Sequence, residues 1–198
     1  MKFKHMKQAV NLLDNEWELG EKECGASGKI CAWIYLIEIL EKSEKIIIYK
    51  DKGRLIAFCG YSKNKSNKYK TRKKFYNIIK QLLYKSKKIK DEKALKKYND
   101  NYEYLPEELL DYFDGEISIL IVDKKYRGKN IGKKLLLETF EVAKKDDINI
   151  LKISTDESSN YKFYEGCGCN KIYETTVEYG KLDEVETEKI YIYEKKLN

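Results

Sequence analysis

The sequence predicts an α/β fold of the α+β kind. It has a central mixed β-sheet, helices on both faces of the sheet and a basic helical insertion. Three patterns predict this architecture: two amphipathic helical segments at the start, a strand-turn-strand pattern after them, and a strand-helix-strand unit in the second half. The chain has 198 residues, of which 42% are hydrophobic and 37% charged. This length suits a single domain over 1–198 with a core of useful size.

The first 60 residues predict two helices and a hairpin. Four apolar residues recur at spacings of four, three and four and predict an amphipathic helix over about 6–19: Met6, Val10, Leu13 and Trp17. The apolar stretch 31–40 predicts a second, more buried helix. Two β-rich runs, 45–49 and 55–59, surround a turn that contains Gly53, and they predict a β-hairpin.

The second half predicts a parallel crossover. The run 116–122 is apolar almost throughout, which is typical of a central strand rather than an edge strand. A helix with one apolar face follows over 131–143, and 148–153 is the next strand. This order predicts a right-handed parallel connection. A short helix over 158–165 and two closing strands, 171–178 and 189–194, complete the chain.

A basic helical insertion is predicted at about 62–112, between the hairpin and the central strand. Residues 63–97 contain fifteen Lys or Arg and two acidic residues, a balance of +13, so the rest of the chain sums to −6. Five apolar positions predict one helical face: Phe75, Ile78, Ile79, Leu82 and Leu83. Pro106 suits the start of a short helix that runs to Phe113.

Several roles are open for this insertion. Its lysines are either a solvated surface or a site for nucleic acid, and Lys68 to Tyr84 interleave aromatic residues with lysines as RNA binding requires. Its apolar face either packs over the domain or is shared in a homodimer. We expect the insertion to flank the functional cleft as a helical lid.

The composition excludes most metal and triad chemistry. His5 is the only histidine, so His-ligated metal centres and Ser-His-Asp arrangements have almost no support. The five cysteines form no C-x-x-C pair and are interpreted as reduced thiols: Cys24, Cys31, Cys59, Cys167 and Cys169. No apolar run approaches the ~20 residues of a membrane-spanning helix. We therefore expect no metal, no membrane partner and a cytoplasmic location.

A seven-residue loop carries the clearest chemical signal. Arg127-Gly128-Lys129-Asn130-Ile131-Gly132-Lys133 lies between the predicted central strand and the next helix. Unpaired N–H groups at a helix N-terminus form an anion site, and phosphate is a natural ligand there. The chain contains neither the Walker-A pattern nor the Rossmann G-x-G-x-x-G pattern. A phosphate-containing ligand other than a nucleoside triphosphate or dinucleotide is therefore favoured.

This loop resembles motif A of the GNAT superfamily, the general-control-related N-acetyltransferases, which reads [RQ]-x-x-G-x-[GA]. Asn130 stands in place of the middle glycine, and asparagine tolerates a left-handed backbone well. Residues 155–169 resemble the family's N-x-x-F-Y-E-x-x-G-F segment, with Cys169 in place of the final aromatic residue. The resemblance covers 115–178 well and implies the GNAT fold, with acetyl-CoA as cosubstrate of an acyltransferase reaction.

The resemblance also implies roles for individual residues. Backbone N–H groups from Arg127 to Lys133 would hold the pyrophosphate of acetyl-CoA. Backbone groups of Leu120 and Val122 would pair with the pantetheine arm, and the Leu120 N–H would polarise the thioester carbonyl. Tyr164 corresponds to the tyrosine that protonates the departing thiolate, and Asn160 to the asparagine that binds CoA.

The acceptor is expected to be a primary amine, on a small molecule or a peptide, that attacks directly in a ternary complex. Such an amine is protonated at neutral pH and needs a base. Glu116 precedes Val122 by six residues, the spacing of the glutamate base in the histone-acetylating branch of the family, and Glu157 is the reserve candidate. The alternative function is an acyl-CoA-sensing or RNA- or ribosome-binding module that uses the insertion.

Overall fold

Two packed helices begin the fold. The structure is a computed structural model that describes residues 1–17, 29–64, 67–90, 105–181 and 184–197. Helix α1 spans Phe3–Trp17 and helix α2 spans Ile30–Lys42, which confirms both predicted helices. Leu13 of α1 and Leu36 of α2 are fully buried in the core between these helices and the sheet. Cys24 and residues 18–19 of the first predicted helix lie outside the described residues.

The six strands form one mixed sheet in the order β1-β2-β3-β4-β6-β5. Their bounds are Lys45–Asp51 for β1, Arg54–Lys63 for β2, Gly115–Val122 for β3, Ile150–Asp156 for β4, Asn170–Lys181 for β5 and Glu184–Lys196 for β6. Strands β3 and β4 are parallel, and the other neighbours are antiparallel. The hairpin, the central position of β3 and the parallel connection are therefore confirmed.

Strand β3 separates from β4 soon after it begins. The register between them consists of Gly115↔Leu151 and Glu116↔Lys152, although both strands continue beyond these pairs. On its other side β3 contains a β-bulge, because Gly60 pairs with Ile119 while Tyr61 pairs with Ile117, which leaves Ser118 as the extra residue. A bulge bends its strand, and this one lies where the separation begins.

Gly115 is required where β3 starts. A Cβ atom at this position would lie 2.2 Å from the carbonyl oxygen of Ser62 on β2, which no side chain can accommodate. The backbones of β2 and β3 therefore approach closely at the end of the sheet where β3 and β4 are paired. A residue with a side chain at position 115 would push the two strands apart there.

Helix α3 spans Asn67–Tyr84 within the predicted insertion and packs against α2. Lys80 pairs with the buried Glu41 at 2.7 Å, and an Arg72 guanidinium nitrogen donates to the Ser43 carbonyl oxygen at 3.1 Å. Tyr76, Ile79 and Leu83 face the core.

The single apolar face expected for α3 is wrong in part, because Phe75, Ile78 and Leu82 are 61%, 62% and 65% exposed. The five apolar positions cover too wide an arc of the helix for one contact with α2.

Two short helices differ from expectation. The segment after Pro106 forms only a 3-10 turn, Glu107–Leu109. The helix expected over 158–165 is shorter, because Asp156 accepts hydrogen bonds from the Ser158 hydroxyl and the Ser159 backbone N–H and so forms a turn. Helix α4 spans Ile131–Lys144 as predicted, and the short helix α5 spans Lys162–Glu165.

The sheet separates two buried clusters. One contains α1, α2 and the inward side of α3, and the other contains α4, α5 and inward-facing residues of β2, β4 and β6. The four cysteines within the described ranges are buried: Cys31, Cys59, Cys167 and Cys169. No helix of the described ranges is long and apolar enough to cross a membrane.

Candidate active site

A cleft of about 1130 Å³ opens where β3 and β4 separate. This volume suffices for a ligand larger than a typical drug-sized molecule. Eleven of the predicted site residues line it: Glu116, Leu120, Val122, Arg127, Gly128, Asn130, Ile131, Gly132, Lys133, Asn160 and Tyr164. Two predictions do not: Lys129 contacts the Lys125 carbonyl oxygen and the Tyr126 ring, and the reserve base Glu157 accepts a hydrogen bond from the Lys189 backbone N–H.

The loop before α4 has the backbone of an anion-binding turn. Asn130 has φ 58° and ψ 12°, the left-handed conformation expected for the residue in place of the family's glycine, and Gly128 has φ 74°. Asn130 is the N-cap of α4, yet its side chain makes no capping hydrogen bond to the first turn. The N–H groups of that turn therefore remain available to a ligand.

Backbone groups of β3 point into the cleft. The Asp123 N–H donates to the Ile56 carbonyl oxygen of β2 at 2.9 Å, and β3 pairs regularly with β2 from Ile119 to Val122. Successive residues of a strand direct their N–H and carbonyl groups to opposite edges. Leu120 and Val122 therefore direct theirs away from β2, into the space that β4 has left.

Arg127 occupies part of that edge. Its Nε donates to the Val122 carbonyl oxygen at 3.1 Å, and its guanidinium pairs with Glu16 of α1. The Val122 carbonyl oxygen, which is expected to pair with the pantetheine arm, therefore already accepts a hydrogen bond from Arg127. The backbone groups of Leu120, two residues before Val122 in β3, are not involved in this contact.

Tyr164 lies in α5 beside the rings of Phe163 and Tyr193, with centroid distances of 5.4 and 5.7 Å. Burial, followed by the nearby Cys59, raises the pKa of the Tyr164 phenol well above its usual value. Burial also raises the pKa of Cys59 and of Cys169 to about 12. Tyr164 is therefore protonated throughout the neutral range and lies in surroundings that disfavour charge.

Glu116 lies where β3 and β4 part, and its carboxylate pairs with Lys152 of β4 at 2.7 Å. The Glu116 side chain is 30% exposed and that of Lys152 is 15% exposed, and both residues line the cleft. A carboxylate at this point can accept a proton from a ligand, but an entering ammonium group would compete with Lys152 for it.

The sequence indicated none of the residues that α1 and α2 contribute to the cleft. Trp17 and Tyr35 meet edge to face with their ring centroids 5.3 Å apart, and Glu38 lies one turn beyond Tyr35. The sequence shows only the helical periodicity of these residues. That pattern places them on helices but does not indicate that they border the cleft. Lys152 was missed for the same reason, because its partnership with Glu116 depends on strand register.

The residues of the cleft suit an acyl-CoA ligand. The α4 N-terminus with Lys133 offers a phosphate-binding end, and the exposed edge of β3 offers backbone hydrogen bonds to an amide-containing arm. Among the described residues, no group of three or more His, Cys, Asp and Glu side chains is arranged to hold a metal ion.

A family model and several solved structures are similar to this chain. The Acetyltransferase (GNAT) family model matches residues 7–169. The chain resembles the structures of an N-acetyltransferase from Staphylococcus aureus and arylalkylamine N-acetyltransferase 2 from Aedes aegypti, at 14% and 18% identity and TM-scores of 0.58 and 0.60. Each match covers 100% of this chain, with 96% and 97% of the respective other chain.

A third similar structure is an aminoglycoside 6′-N-acetyltransferase complexed with coenzyme A, at 12% identity and a TM-score of 0.56, covering 98% of this chain and 91% of the other. No curated protein sequence is significantly similar to this chain.

The family model and the fold together define the class of protein, an acetyltransferase. The chain belongs to the Acetyltransferase (GNAT) family, because that family's model covers most of its length. The predicted family and the GNAT α/β fold are therefore confirmed, as is the expectation of an acetyltransferase with acetyl-CoA as donor at the level of the family.

Proposed function

We propose that this protein transfers the acetyl group of acetyl-CoA to a primary amine, by direct attack within a ternary complex. The observation that carries the proposal is the separation of β3 from β4 after Glu116↔Lys152. It opens a cleft that Leu120, Tyr164 and the loop 127–133 all line. Acetyl-CoA, when bound, supplies a thioester carbon that is open to attack by an amine.

The loop 127–133 is the proposed pyrophosphate site. Gly128 and Asn130 adopt positive φ values, and α4 begins directly after them. The N–H groups of Ile131, Gly132 and Lys133 belong to the uncapped first turn, where the helix dipole adds partial positive charge. Asn160, exposed at the rim near α5, is the proposed hydrogen-bond partner of the pantetheine portion.

The Leu120 N–H is the proposed donor to the thioester carbonyl oxygen. It faces the cleft because the alternation set by the Asp123–Ile56 bond directs it away from β2. A backbone donor on a paired strand is held rigidly and costs little reorganisation when negative charge develops on the oxygen it binds. One such donor is typically worth ~10²–10³ in rate.

Tyr164 is the proposed proton donor to the departing thiolate. Its raised pKa makes it a weak acid, but the raised pKa values of Cys59 and Cys169 beside it indicate that a thiolate in these surroundings is a strong base. The acid and the base are thus shifted in the same direction by the same burial. Because both pKa values rise together, burial leaves the difference that governs proton transfer between them largely unchanged.

Glu116 is the proposed general base for the acceptor amine. The amine is protonated near neutral pH and must lose a proton before it attacks. Glu116 is 30% exposed, so it can act directly or through water, and Lys152 holds its carboxylate at the point where the strands part. The Trp17–Tyr35 pair and Glu38 line the side of the cleft that α1 and α2 form, and they would contact the acceptor.

A thiol-release assay tests the function. Purified protein with acetyl-CoA should release CoA thiol only when an amine is present, across a panel of small amines, polyamines, aminoglycosides and peptides. Mass spectrometry should find the acetyl group on the amine nitrogen. Tight acetyl-CoA binding without turnover of any amine would instead favour the acyl-CoA-sensing alternative.

A further inference from the structure

A stripe of three apolar side chains covers the outer side of α3. Phe75, Ile78 and Leu82 follow at spacings of three and four, so they share one face of the helix. They are 61%, 62% and 65% exposed, whereas Ile79 and Leu83 are packed on the core. One side of α3 therefore packs on α2, and the side that carries the stripe is exposed to solvent.

The surface around the stripe is strongly basic. Residues 72–90 contain eight Lys or Arg and no Asp or Glu. Lys74 and Lys85 are exposed and lie four and seven residues from Ile78, so they flank the stripe along one edge. Arg72 and Lys80 are engaged with Ser43 and Glu41, and their bonds hold the helix on α2.

We infer that the outer face of α3 docks on an anionic lipid surface. A bilayer with acidic headgroups offers negative charge to the flanking lysines and an apolar layer to the three side chains, and an amphipathic basic helix lies at such an interface. The face is convex and narrow, which suits shallow insertion among headgroups. Such a contact is peripheral. The expectation of no membrane partner was based only on the lack of a membrane-spanning run and of a secretory signal.

Two other occupants fit the surface less well. A second copy of the chain would bring two basic faces together, and three side chains bury too little area for a stable interface of about 800 Å² per partner. RNA would neutralise the lysines, but the aliphatic Ile78 and Leu82 cannot stack on bases. An anionic bilayer complements both the charge and the apolar character.

Docking through this face leaves the active site accessible. Helix α3 contacts α2, and none of its side chains that the structure describes borders the cleft between β3 and β4. Lipid binding therefore does not require the acetyl-transfer proposal to be correct, and the two can be tested separately.

Flotation with vesicles tests the inference on the full chain. Wild-type protein should float with vesicles of equal parts phosphatidylserine and phosphatidylcholine, and not with phosphatidylcholine alone. The Phe75→Ser/Ile78→Ser/Leu82→Ser variant should lose partitioning by at least about tenfold, since its apolar anchors are gone. Lys74→Glu/Lys85→Glu should weaken it also, while the matched reversal Lys144→Glu/Lys145→Glu on α4 should not.

Four results would overturn the inference. They are absence of wild-type binding to the anionic vesicles, equal binding by the apolar-stripe variant, a lower melting temperature of that variant, and a dimer that the variant disrupts. The third would mean that another part of this chain covers the stripe, and the fourth that a second copy does. A gel-shift with single-stranded RNA completes the test, because salt-sensitive binding there with no vesicle binding would assign the surface to nucleic acid.

Discussion

The Nζ of Lys133 donates a hydrogen bond to the carbonyl oxygen of Gly166 at 3.0 Å. Lys133 lies in the first turn of α4, and Gly166 is the residue directly after α5, the helix that carries Tyr164. The bond therefore links the proposed pyrophosphate loop to the proposed proton donor. We therefore expect a change at Lys133 to affect proton transfer as well as ligand binding.

Lys133→Met should lower kcat several-fold, in addition to the loss of acetyl-CoA affinity expected when a positive charge leaves the phosphate-binding end of the cleft. The methionine keeps most of the aliphatic stem but loses both the positive charge and the bond to the Gly166 carbonyl oxygen. Calorimetry for acetyl-CoA and steady-state kinetics on one amine measure the two effects. Lys134→Met is the matched control, since Lys134 is exposed on the next position of α4, and equal losses in both variants would contradict the linkage.

Tyr164→Phe should retain acetyl-CoA binding and lose about 10²-fold or more in kcat, because the ring still packs on Phe163 and Tyr193 while the proton donor is gone. Single-turnover rates and binding measurements separate the two. Tyr193→Phe removes a neighbouring hydroxyl that donates to Glu165 and should keep turnover. Unchanged chemistry in Tyr164→Phe would end the assignment.

Glu116→Gln should lower kcat at neutral pH by about 10²-fold, and the loss should shrink as pH rises toward the pKa of the free amine. The reason is that the acceptor then deprotonates without a base. Rates from pH 7 to 10 on one amine measure this dependence. Glu157→Gln is the control, because Glu157 faces the β6 backbone, and a pH-independent loss in Glu116→Gln would indicate a structural role.

Gly132→Leu should abolish acetyl-CoA binding, and Gly132→Ala should weaken it less. An alanine Cβ would lie 3.5 Å from Val122 and 3.6 Å from Phe163, which is ordinary contact, so the fold accepts it. The leucine side chain would extend further at the loop that the ligand must approach. Calorimetry measures affinity and thermal denaturation checks folding; equal affinity in a folded Gly132→Leu protein would refute the site.

Stability should fall between pH 10 and pH 12. The Tyr49 hydroxyl donates to Glu138 at 2.7 Å, which raises the pKa of Tyr49 to about 12, and burial raises that of Tyr193 to about 12. An unfolded tyrosine ionises near pH 10, so the stabilisation is complete below that pH and is lost as pH rises through the folded values. Melting temperatures across this range should decline less steeply for Tyr49→Phe/Tyr193→Phe. An identical slope in the variant would show that other groups cause the decline.

Local patterns in the sequence were enough to predict the helices α1, α2 and α4, the hairpin and the central strand. The loop 127–133 and Tyr164 could be singled out because each belongs to a motif of residues close together in the chain, and both border the cleft, while their roles stay predictions. Asn130 illustrates this, since its backbone conformation follows from its place before α4. The same local reasoning failed where a short segment had competing bonds, as in the turn at Asp156 that shortens α5.

Only the tertiary structure decided what surrounds these residues. The Glu116–Lys152 pair depends on parallel strand register, Arg127 is held by Glu16 from the other end of the chain, and the bulge at Ser118 depends on how β2 pairs with β3. The outward direction of Phe75 depends on which arc of α3 rests on α2. Periodicity and spacing report on neighbours along the chain, whereas these contacts join residues that are far apart in sequence and meet only when the sheet and helices pack.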